Sequence, residues 1–502
     1  MLGRRLRPVL RLTRQFSQLT KNVSSNLTTR QGSQFSKAGL TDWGELPRGQ
    51  IPSELEFFPA NKLQVLPNGA KIFSEEYAVD YTLVSVYVKA GSRYETLESS
   101  GATHLLWKLA FKGQGTTEAE VAALGGKVSL TADREFLGFH VKARPSEAPK
   151  ALDFLCKHVL NPKISSGVLE AEKPVAFRHC LEVSQDQYAQ TIEFLFAALF
   201  NDHMMGQPLH GNRDNIASLS QKHIEEHVAR TYCGHNAQVI FSGNVDAQAE
   251  LRSIAESHLA RLPAQTQAPT PNLEKPLRTA ISSNFRDDEM HNINVAVGYA
   301  GPSGESPELF KYKFFEEIIG EYNAAHDGTA HNNTPSTNYN TLHMYLGSGP
   351  GIYLANAKLL TFSDVSVFAG YVHSNDLYGS SVVSVIPFVL AQHSMNLDDS
   401  EIFRARAKLF NKLLTRTSTT QTHDEIAREL DSSHRRIDRS EAARRFSALA
   451  CGKTLRAFAK ESFHDYDIAV ATWGLMNHMM DLAYYEEFVN RATRGKFRSL
   501  WV

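Results

Sequence analysis

The sequence predicts an α/β (α+β) chain made of two similar halves, and three observations carry that reading. Its 502 residues exceed the roughly 250–300 at which a single hydrophobic core stops growing, so at least two domains are expected. Strand-like and helix-like segments run through one order up to residue 261 and restart in a similar order after residue 282. Between them, Leu262–Ser282 (LPAQTQAPTPNLEKPLRTAIS) carries four prolines with Thr, Gln and Ser. That is linker chemistry, since proline removes backbone donors and keeps the segment extended.

Composition sets outer limits. Apolar residues make up 42% of the chain and charged residues 21%, as in a packed globular protein. A formal net charge of −1 gives no global argument for nucleic acid. Cys156, Cys180, Cys233 and Cys451 lie far apart with no Cys-x-x-Cys pair. Free thiols in a reducing compartment fit that spacing better than a disulfide framework or a structural zinc site. No apolar run approaches the roughly 20 residues that span a bilayer. The best candidate, Phe194–Phe200 (FLFAALF), reads as the buried face of a helix, so a role at a membrane is peripheral.

Residues 1–40 read as a mitochondrial transit peptide and flexible N-terminal segment. Arg4, Arg5, Arg7, Arg11, Arg14, Lys21, Arg30 and Lys37 precede the first acid, Asp42. Leu2, Leu6, Val9, Leu10 and Thr13 share one helical face, the amphipathic cationic pattern of a mitochondrial address. Arg14-Gln15-Phe16-Ser17 resembles a matrix-peptidase cleavage pattern. A basic disordered tail for an acidic partner is the competing reading, and a chloroplast address a lesser one.

The elements follow in order. Thr41–Asn61 is an irregular lead-in with Pro47, Pro52 and Pro59. Val65–Val79 holds two strands around a Pro67-Asn68-Gly69 turn, a hairpin signal. A strand at Thr82–Lys89 runs into a polar turn and then a helix within Gly101–Gly113, where His104, Leu105, Leu106, Leu109, Ala110 and Phe111 recur at helical spacing. Thr117–Leu124 reads as a short helix ended by Gly125-Gly126, and Lys127–Asp133 and Glu135–Lys142 as paired strands. Ser146–Val159 and Ser166–Leu199 are helical, the second broken once. A helix around Gln221–Tyr232 leads to the strand Ala237–Phe241 and the turn Ser242-Gly243-Asn244.

In the second half, His291–Tyr299 is a strand and Pro307–Tyr322 an amphipathic helix. Residues 323–351, rich in Asn, His, Thr and Gly, form a long interruption of the kind that is usually functional. Phe362–Val372 and Ser380–Val385 read as paired strands, and Glu401–Thr415, His423–Leu430 and most of Ser440–Phe463 as helices. Ile468–Thr472 followed by Gly474 echoes the strand and glycine that end the first half.

Three groups of residues invite a chemical reading. On the Gly101–Gly113 helix, His104 is followed by Trp107 and Lys108. A helical His-x-x-Glu-His pattern puts two zinc-binding imidazoles on one face, with a glutamate beside the bound water as general base. Trp107 accepts no proton and the Lys108 ammonium offers a metal no lone pair, so a histidine satisfied within a partly buried helix is favoured. His223-Ile224-Glu225-Glu226-His227 does spell the pattern. Yet Ile224, Val228 and Tyr232 form the apolar stripe of a charge-rich helix with Ser218 and Ser220 as caps, and a solvated face is favoured there. Gly347-Ser348-Gly349-Pro350-Gly351 lacks the Lys-Ser/Thr of a phosphate loop and the dinucleotide fingerprint, and reads as a flexible loop.

Several segments together carry a family resemblance: LPNG (66–69), KAGSRYE (89–95), the GATHLL…LAFKG helix (101–113), LGGKVSLTADRE (124–135), EKPVAFRH (172–179), PLHG…NI (208–216) and IIGEY (318–322). They resemble the pitrilysin-like metallopeptidases, in particular the mitochondrial processing peptidase and the core subunits of respiratory complex III. The resemblance covers nearly the whole chain after the presequence and is strongest in the first half. It implies two homologous domains, residues 41–261 and 283–502, each a mixed, largely antiparallel sheet covered by helices, joined by the linker 262–282. In active members, a His-x-x-Glu-His helix and a distal glutamate hold zinc. Carried over, His104 matches the first ligand, Trp107 replaces the base and Lys108 the second ligand. Glu172 matches a supporting acid, and His179 stands where the distal ligand glutamate would be.

The resemblance therefore implies a degenerate metallopeptidase homologue with no catalytic residues, no zinc and no other cofactor. It further implies a structural core subunit of complex III (ubiquinol–cytochrome c reductase) on the matrix side of the mitochondrial inner membrane. Its partners would be a homologous core or processing-peptidase-like subunit and the cytochrome b, cytochrome c1 and Rieske subunits, with no nucleic acid. Two alternatives stand beside it: a non-catalytic, presequence-binding subunit of the processing peptidase, and an active zinc peptidase using residues 223–227.

Overall fold

The computed structural model describes residues 51–56, 59–112, 125–201, 203–211, 213–245, 247–265, 281–327, 351–375, 379–464 and 468–476, with a few short pieces between them. The segment 1–40, the short helix expected at Thr117–Leu124, residues 266–274 of the linker and most of the 323–351 interruption with its glycine-rich end lie outside the described residues.

The first sheet grows from the expected hairpin. β1 (Asn61–Val65) and β2 (Lys71–Glu76) pair antiparallel across the Pro67–Gly69 turn, where Gly69 takes a φ of +87° that favours glycine. β3 (Thr82–Val88), β4 (Lys127–Ala132), β5 (Leu137–Ala143) and β6 (Ala237–Gly243) complete a six-stranded sheet of order β1-β2-β6-β3-β5-β4. Every pairing is antiparallel except β2 with β6.

The second half repeats the plan. β7 (Ser282–Arg286), β8 (Asn292–Gly301), β9 (Glu321–Asn323), β10 (Ile352–Thr361), β11 (Ser366–Asn375) and β12 (Ala469–Gly474) are ordered β7-β12-β8-β11-β10-β9. Its one parallel pair is β7 with β12. Aligning the two orders matches β2 with β7, β6 with β12, β3 with β8, β5 with β11 and β4 with β10, and leaves β1 and β9 as extra strands at opposite edges. Gly243 and Gly474 end the equivalent strands β6 and β12 with φ of +105° and +127°. A Cβ at either would collide with a backbone carbonyl, that of Tyr81 or of Asn292, so the glycine echo in the sequence has a steric cause.

In the first half, α1 (Ala102–Lys112), α2 (Ala148–Val159), α3 (Ser166–Gln185), α4 (Gln187–Leu199), α5 (Arg213–Ser218), α6 (Gln221–Thr231) and α7 (Gln248–Leu259) follow the strands. Leu105, Leu106, Leu152 and Ile224 pack with Val84, Val86 and Phe139 in one core on one face of the sheet. The break expected in Ser166–Leu199 falls at Asp186, whose carboxylate caps α4 by accepting from the Ala189 amide. The second half carries α8 (Leu309–Ile319), α9 (Gly379–Met395), α10 (Asp399–Leu414), α11 (Thr420–Ser432), α12 (Arg439–Leu449) and α13 (Gly452–Ala459). Among the described residues no helix is long and apolar enough to cross a membrane.

One strand assignment is corrected. Ser380–Val385 belongs to α9, and β11 pairs with β10 instead. The run of Val382, Val383 and Val385 suggests a strand, but a β-branched residue costs a helix at most about 0.7 kcal/mol. Burial of Ile386, Val389 and Leu390 along the same helix outweighs that cost.

The opposite face of each sheet is covered by a helix from the other half. α4 lays Leu195, Phe196, Ala198 and Leu199 on Ala296, Val367, Ala369, Ala469 and Ala471 of the second sheet. Gly298 on β8 makes room, since a Cβ there would press on Leu195 and Leu199. α11 reciprocates with Ile426, Ala427 and Leu430 on Phe73, Tyr87, Phe136 and Ile240 of the first sheet. Polar groups pin the same joint. His423, fully buried on α11, bridges Ser85 Oγ (2.6 Å) on β3 and Ser242 Oγ (2.5 Å) on β6, and Ser85 also meets His140 Nδ1 at 2.8 Å. Arg93 donates to Glu135 (2.7 Å) and in bidentate fashion to Asp364 (2.9 and 2.8 Å), while the Ser363 amide and hydroxyl donate to Glu135.

Two outcomes are expected. Leu195→Ala should cost about 2–5 kcal/mol of stability. Hydrogen exchange under denaturant should show both sheets loosened together, whereas loosening confined to the second sheet would contradict the reciprocal packing. The second concerns pH. Burial holds His423 far below the usual histidine range, with His140 and Arg436 acting in the same direction, and burial takes His140 down to about 4. In the unfolded chain both titrate near about 6.5. Acid therefore protonates the unfolded state first, and stability falls as pH drops below about 6.5, by at most about 1.4 kcal/mol per pH unit for each histidine. Urea titrations should give a shallower slope between about pH 6.5 and 4 for His423→Gln. A slope identical to that of the parent chain would exclude His423 as a source of acid sensitivity.

Candidate functional site

The site is built on α1, and Glu95 starts that helix. Its carboxylate accepts from the Gly101 (2.9 Å) and Thr103 (2.6 Å) amides, two of the N–H groups a helix start leaves unpaired. Complete burial pushes the Glu95 carboxyl up to about 7, against the pull of these donors. Gly101 takes a φ of +95°, and Gly211 a φ of +71°. A Cβ on Gly211 would fall 2.6 Å from the Gly101 Cα, so the loop bearing His210 closes onto the start of α1 only through this glycine pair.

Three histidines meet there. His104 on α1 is 1% exposed, and His179 on α3 and His210 on the loop are half-buried. His179 Nδ1 lies 3.1 Å from His104 Nε2, and His104 Nδ1 faces the His210 carbonyl oxygen at 3.3 Å. The ring centroids are 4.9, 4.8 and 5.1 Å apart, a closed triangle. One ring nitrogen from each histidine lies within 4.8 Å of the others, and this is the one trio of metal-ligating side chains so arranged among the described residues. The loop is held from outside: Glu193 on α4 accepts from the Leu209 amide (3.0 Å) and from Arg134 (2.9 Å), and Arg134 also donates to the Met205 carbonyl (2.9 Å).

Burial keeps the cluster neutral. It takes His104 down to about 3, with His210, Lys108 and His179 adding repulsion, and His210 to about 4, with His179, Arg134 and Lys108 adding theirs. Burial and then Lys108 also lower His179. Beside the triangle stands Trp107, its ring 5.9 Å from those of both His104 and His179. Lys108 Nζ sits over the indole at 5.2 Å, a cation–π contact, and burial lowers its pKa against the pull of Glu172. Glu172 is buried and ion-paired with Lys112 at 2.7 Å. Cys180 donates to the His210 carbonyl (3.5 Å), and burial pushes its thiol up to about 11.

The residues expected at the degenerate zinc position are thus brought together. His104, Trp107 and His179 are in mutual contact, Lys108 stacks on Trp107, and Glu172 is taken up by an ion pair. The chemistry of the set does not fit a hydrolytic zinc centre, because the place of the base holds an indole and the place of the second ligand holds an ammonium. His210 was not singled out from the sequence, although Gly101 and Gly211 flank the contact that places it. The segment 223–227 assembles nothing comparable. His223 Nδ1 accepts from the Ser220 amide and closes a capping box on α6, while Glu225 and Glu226 face solvent. His227 is fully buried, with Nε2 3.1 Å from the Ala90 carbonyl, and supports α1 from behind.

Known proteins identify the fold and its class. The profile described as "Insulinase (Peptidase family M16)" matches residues 71–213, and that described as "Peptidase M16 inactive domain" matches residues 218–392. The chain belongs to peptidase family M16. It is 26% identical over 454 residues to "Cytochrome b-c1 complex subunit 1, mitochondrial" of Homo sapiens, covering 88% of this chain and 91% of that protein. It is 25% identical over 432 residues to "Mitochondrial-processing peptidase subunit beta" of Neurospora crassa, covering 83% and 88%. Among solved structures, its fold matches a chain of "Complex III2 from Candida albicans, Inz-5 bound" with a TM-score of 0.73 at 19% identity over 85% of this chain and 99% of that one. A protease from Helicobacter pylori matches with a TM-score of 0.70 at 17% identity over 83% and 100%. The two mixed, helix-covered sheets expected from the sequence are therefore the family fold.

His104→Ala should cost about 2–4 kcal/mol, because it empties a fully buried place and strips a donor from the His210 carbonyl. His223→Ala, which removes only a cap contact, should cost about 1 kcal/mol or less. Urea denaturation of the two variants measures the difference, and equal costs would show that His104 is not a buried keystone of α1.

Proposed function

We propose that this chain is a non-catalytic core subunit of mitochondrial respiratory complex III, with a structural role on the matrix side of the inner membrane. Trp107 carries the proposal. A metallopeptidase of this type needs a proton acceptor beside its zinc-bound water, and the indole set against His104 and His179 has none. Lys108 supports it, because an ammonium at the second-ligand place repels a catalytic zinc ion. The similarity to the human cytochrome b-c1 complex subunit 1 along 88% of the chain supports the choice of assembly, and the cationic segment 1–40 supports the mitochondrial address. In this role the chain pairs with a homologous core subunit and reaches the membrane through the cytochrome b, cytochrome c1 and Rieske subunits.

A second reading is a non-catalytic presequence-binding subunit of the processing peptidase: the similarity to the Neurospora crassa beta subunit supports that assembly, and Trp107 and Lys108 support the lack of catalysis within it. Native electrophoresis of gently solubilised mitochondria separates the two. The chain should migrate with cytochrome b and the Rieske protein, and recovery only in a soluble matrix heterodimer would replace the first reading with the second. The purified chain should cleave presequence peptides no faster than buffer, with or without zinc. Zinc-dependent cleavage abolished by His223→Ala would instead make it a peptidase using residues 223–227.

A further inference from the structure

We propose that His104, His179 and His210 form a three-imidazole site for one divalent transition metal of the zinc class, held without a hydrolytic base. The ligand set differs from the one the zinc-peptidase pattern specifies, because Lys108 has vacated the second-ligand place and His210 enters from a different segment. The inference goes beyond the proposed function and rests on geometry that the function does not use.

Three features of the cluster carry it. The first is tautomer. A carbonyl oxygen only accepts, so His104 Nδ1, 3.3 Å from the His210 carbonyl, bears the hydrogen and Nε2 bears the lone pair. That lone pair points into the triangle, at His179 Nδ1. A metal-bound histidine is oriented in just this way, by a backbone carbonyl on its other nitrogen. The second is spacing. Zinc–nitrogen bonds of about 2.0–2.1 Å at a tetrahedral centre set neighbouring nitrogens about 3.4 Å apart. His104 and His179 already stand at 3.1 Å, and the widest separation, within 4.8 Å, closes by about 1.4 Å through rotation of the half-buried rings. The third is access, since His179 and His210 are part-exposed and an ion can enter without unfolding α1.

Ligand type sets the class of ion. Imidazole suits zinc, copper, nickel and iron, whereas magnesium and calcium seek oxygen ligands. On binding, the hydrogen shared between His179 Nδ1 and His104 Nε2 moves to the outward Nε2 of His179, so both inward nitrogens present lone pairs. The fourth position stays open to water, but no side chain in contact with the triangle takes the glutamate's part, as Trp107 holds that place. Two cations oppose the ion: Lys108, whose charge bears on all three imidazoles and is partly offset by Glu172 and Glu182, and Arg134, whose charge bears on His210.

The test uses the purified full chain, stripped with chelator and re-equilibrated with Zn²⁺ or Co²⁺ at neutral pH. One ion per chain should remain after gel filtration, and the Co²⁺ form should show the visible absorption of a low-coordinate nitrogen site. His210→Ala and His179→Ala should each weaken retention by more than the roughly 10–100-fold that a second-shell change costs, and His223→Ala should leave it unchanged. Lys108→Met should tighten binding several-fold, a gain that misfolding cannot mimic. Retention well below one equivalent by the folded parent chain, or full retention by His210→Ala, would overturn the site. Peptide cleavage by the zinc-loaded chain would leave the site standing and remove the non-catalytic reading instead.

Discussion

The exchange of α4 and α11 between the two halves is the constraint on which the rest of the molecule depends. Each sheet has one face covered by its own helices and the other by a helix borrowed from the opposite half. Without α4, the Ala-rich face of β8, β11 and β12 would meet water, and without α11 so would Phe73, Tyr87 and Ile240. The cluster of histidines inherits this arrangement. α3 and α4 are separated only by the break at Asp186, so docking α4 on the second sheet also fixes the helix that carries His179. Glu193 on the same α4 holds the Leu209 amide, one residue from His210. Two of the three imidazoles are thus held within their own half through a helix that also docks on the other half.

The site keeps the geometry of the zinc-peptidase pattern with different side chains in its central places. Glu95 starts α1 and α3 crosses it, which sets His104 and His179 side by side. Trp107 and Lys108 stand beside them. An indole cannot move a proton and an ammonium cannot bind a cation, yet both are well suited to fill a half-buried gap: Trp107 by area, and Lys108 by lying on the ring. The buried acid Glu172 is held by Lys112. Trp107, Lys108 and Glu172 are each taken up by a packing, cation–π or ion-pair contact.

Much of the fold was legible in the sequence because local signals agreed. The Pro67-Asn68-Gly69 turn, the alternating strands around Asp133 and the glycines that end β6 and β12 each have a short-range cause. The strand reading of Ser380–Val385 failed where a β-branched run was overruled by burial further along the same helix. FLFAALF was legible as a buried face, but not as buried against the other half, since nothing within seven residues reports a partner a hundred residues away. Arg93 and Glu135 stood in recognised segments, yet their task of clamping Asp364 and Ser363 is visible only in three dimensions. His210 escaped for the same reason. Its significance lies in the approach of Gly211 to Gly101, across a sequence gap that periodicity cannot bridge.

The reciprocal packing also governs how the chain comes to be folded. His423 reaches Ser85 across a separation of 338 residues, and Tyr87 reaches Asp424 across 337. Contacts so distant in sequence form late, after the entropy of a very long loop has been overcome. A chain delivered N-terminus first therefore presents a complete first half whose second sheet face is still bare while most of the remaining polypeptide is in transit. That half is a sticky intermediate by construction, with Phe73, Tyr87 and Ile240 open to any apolar neighbour. Any chain that ends before α11 leaves this apolar face uncovered, so the last third of the polypeptide is what makes the first sheet safe in water.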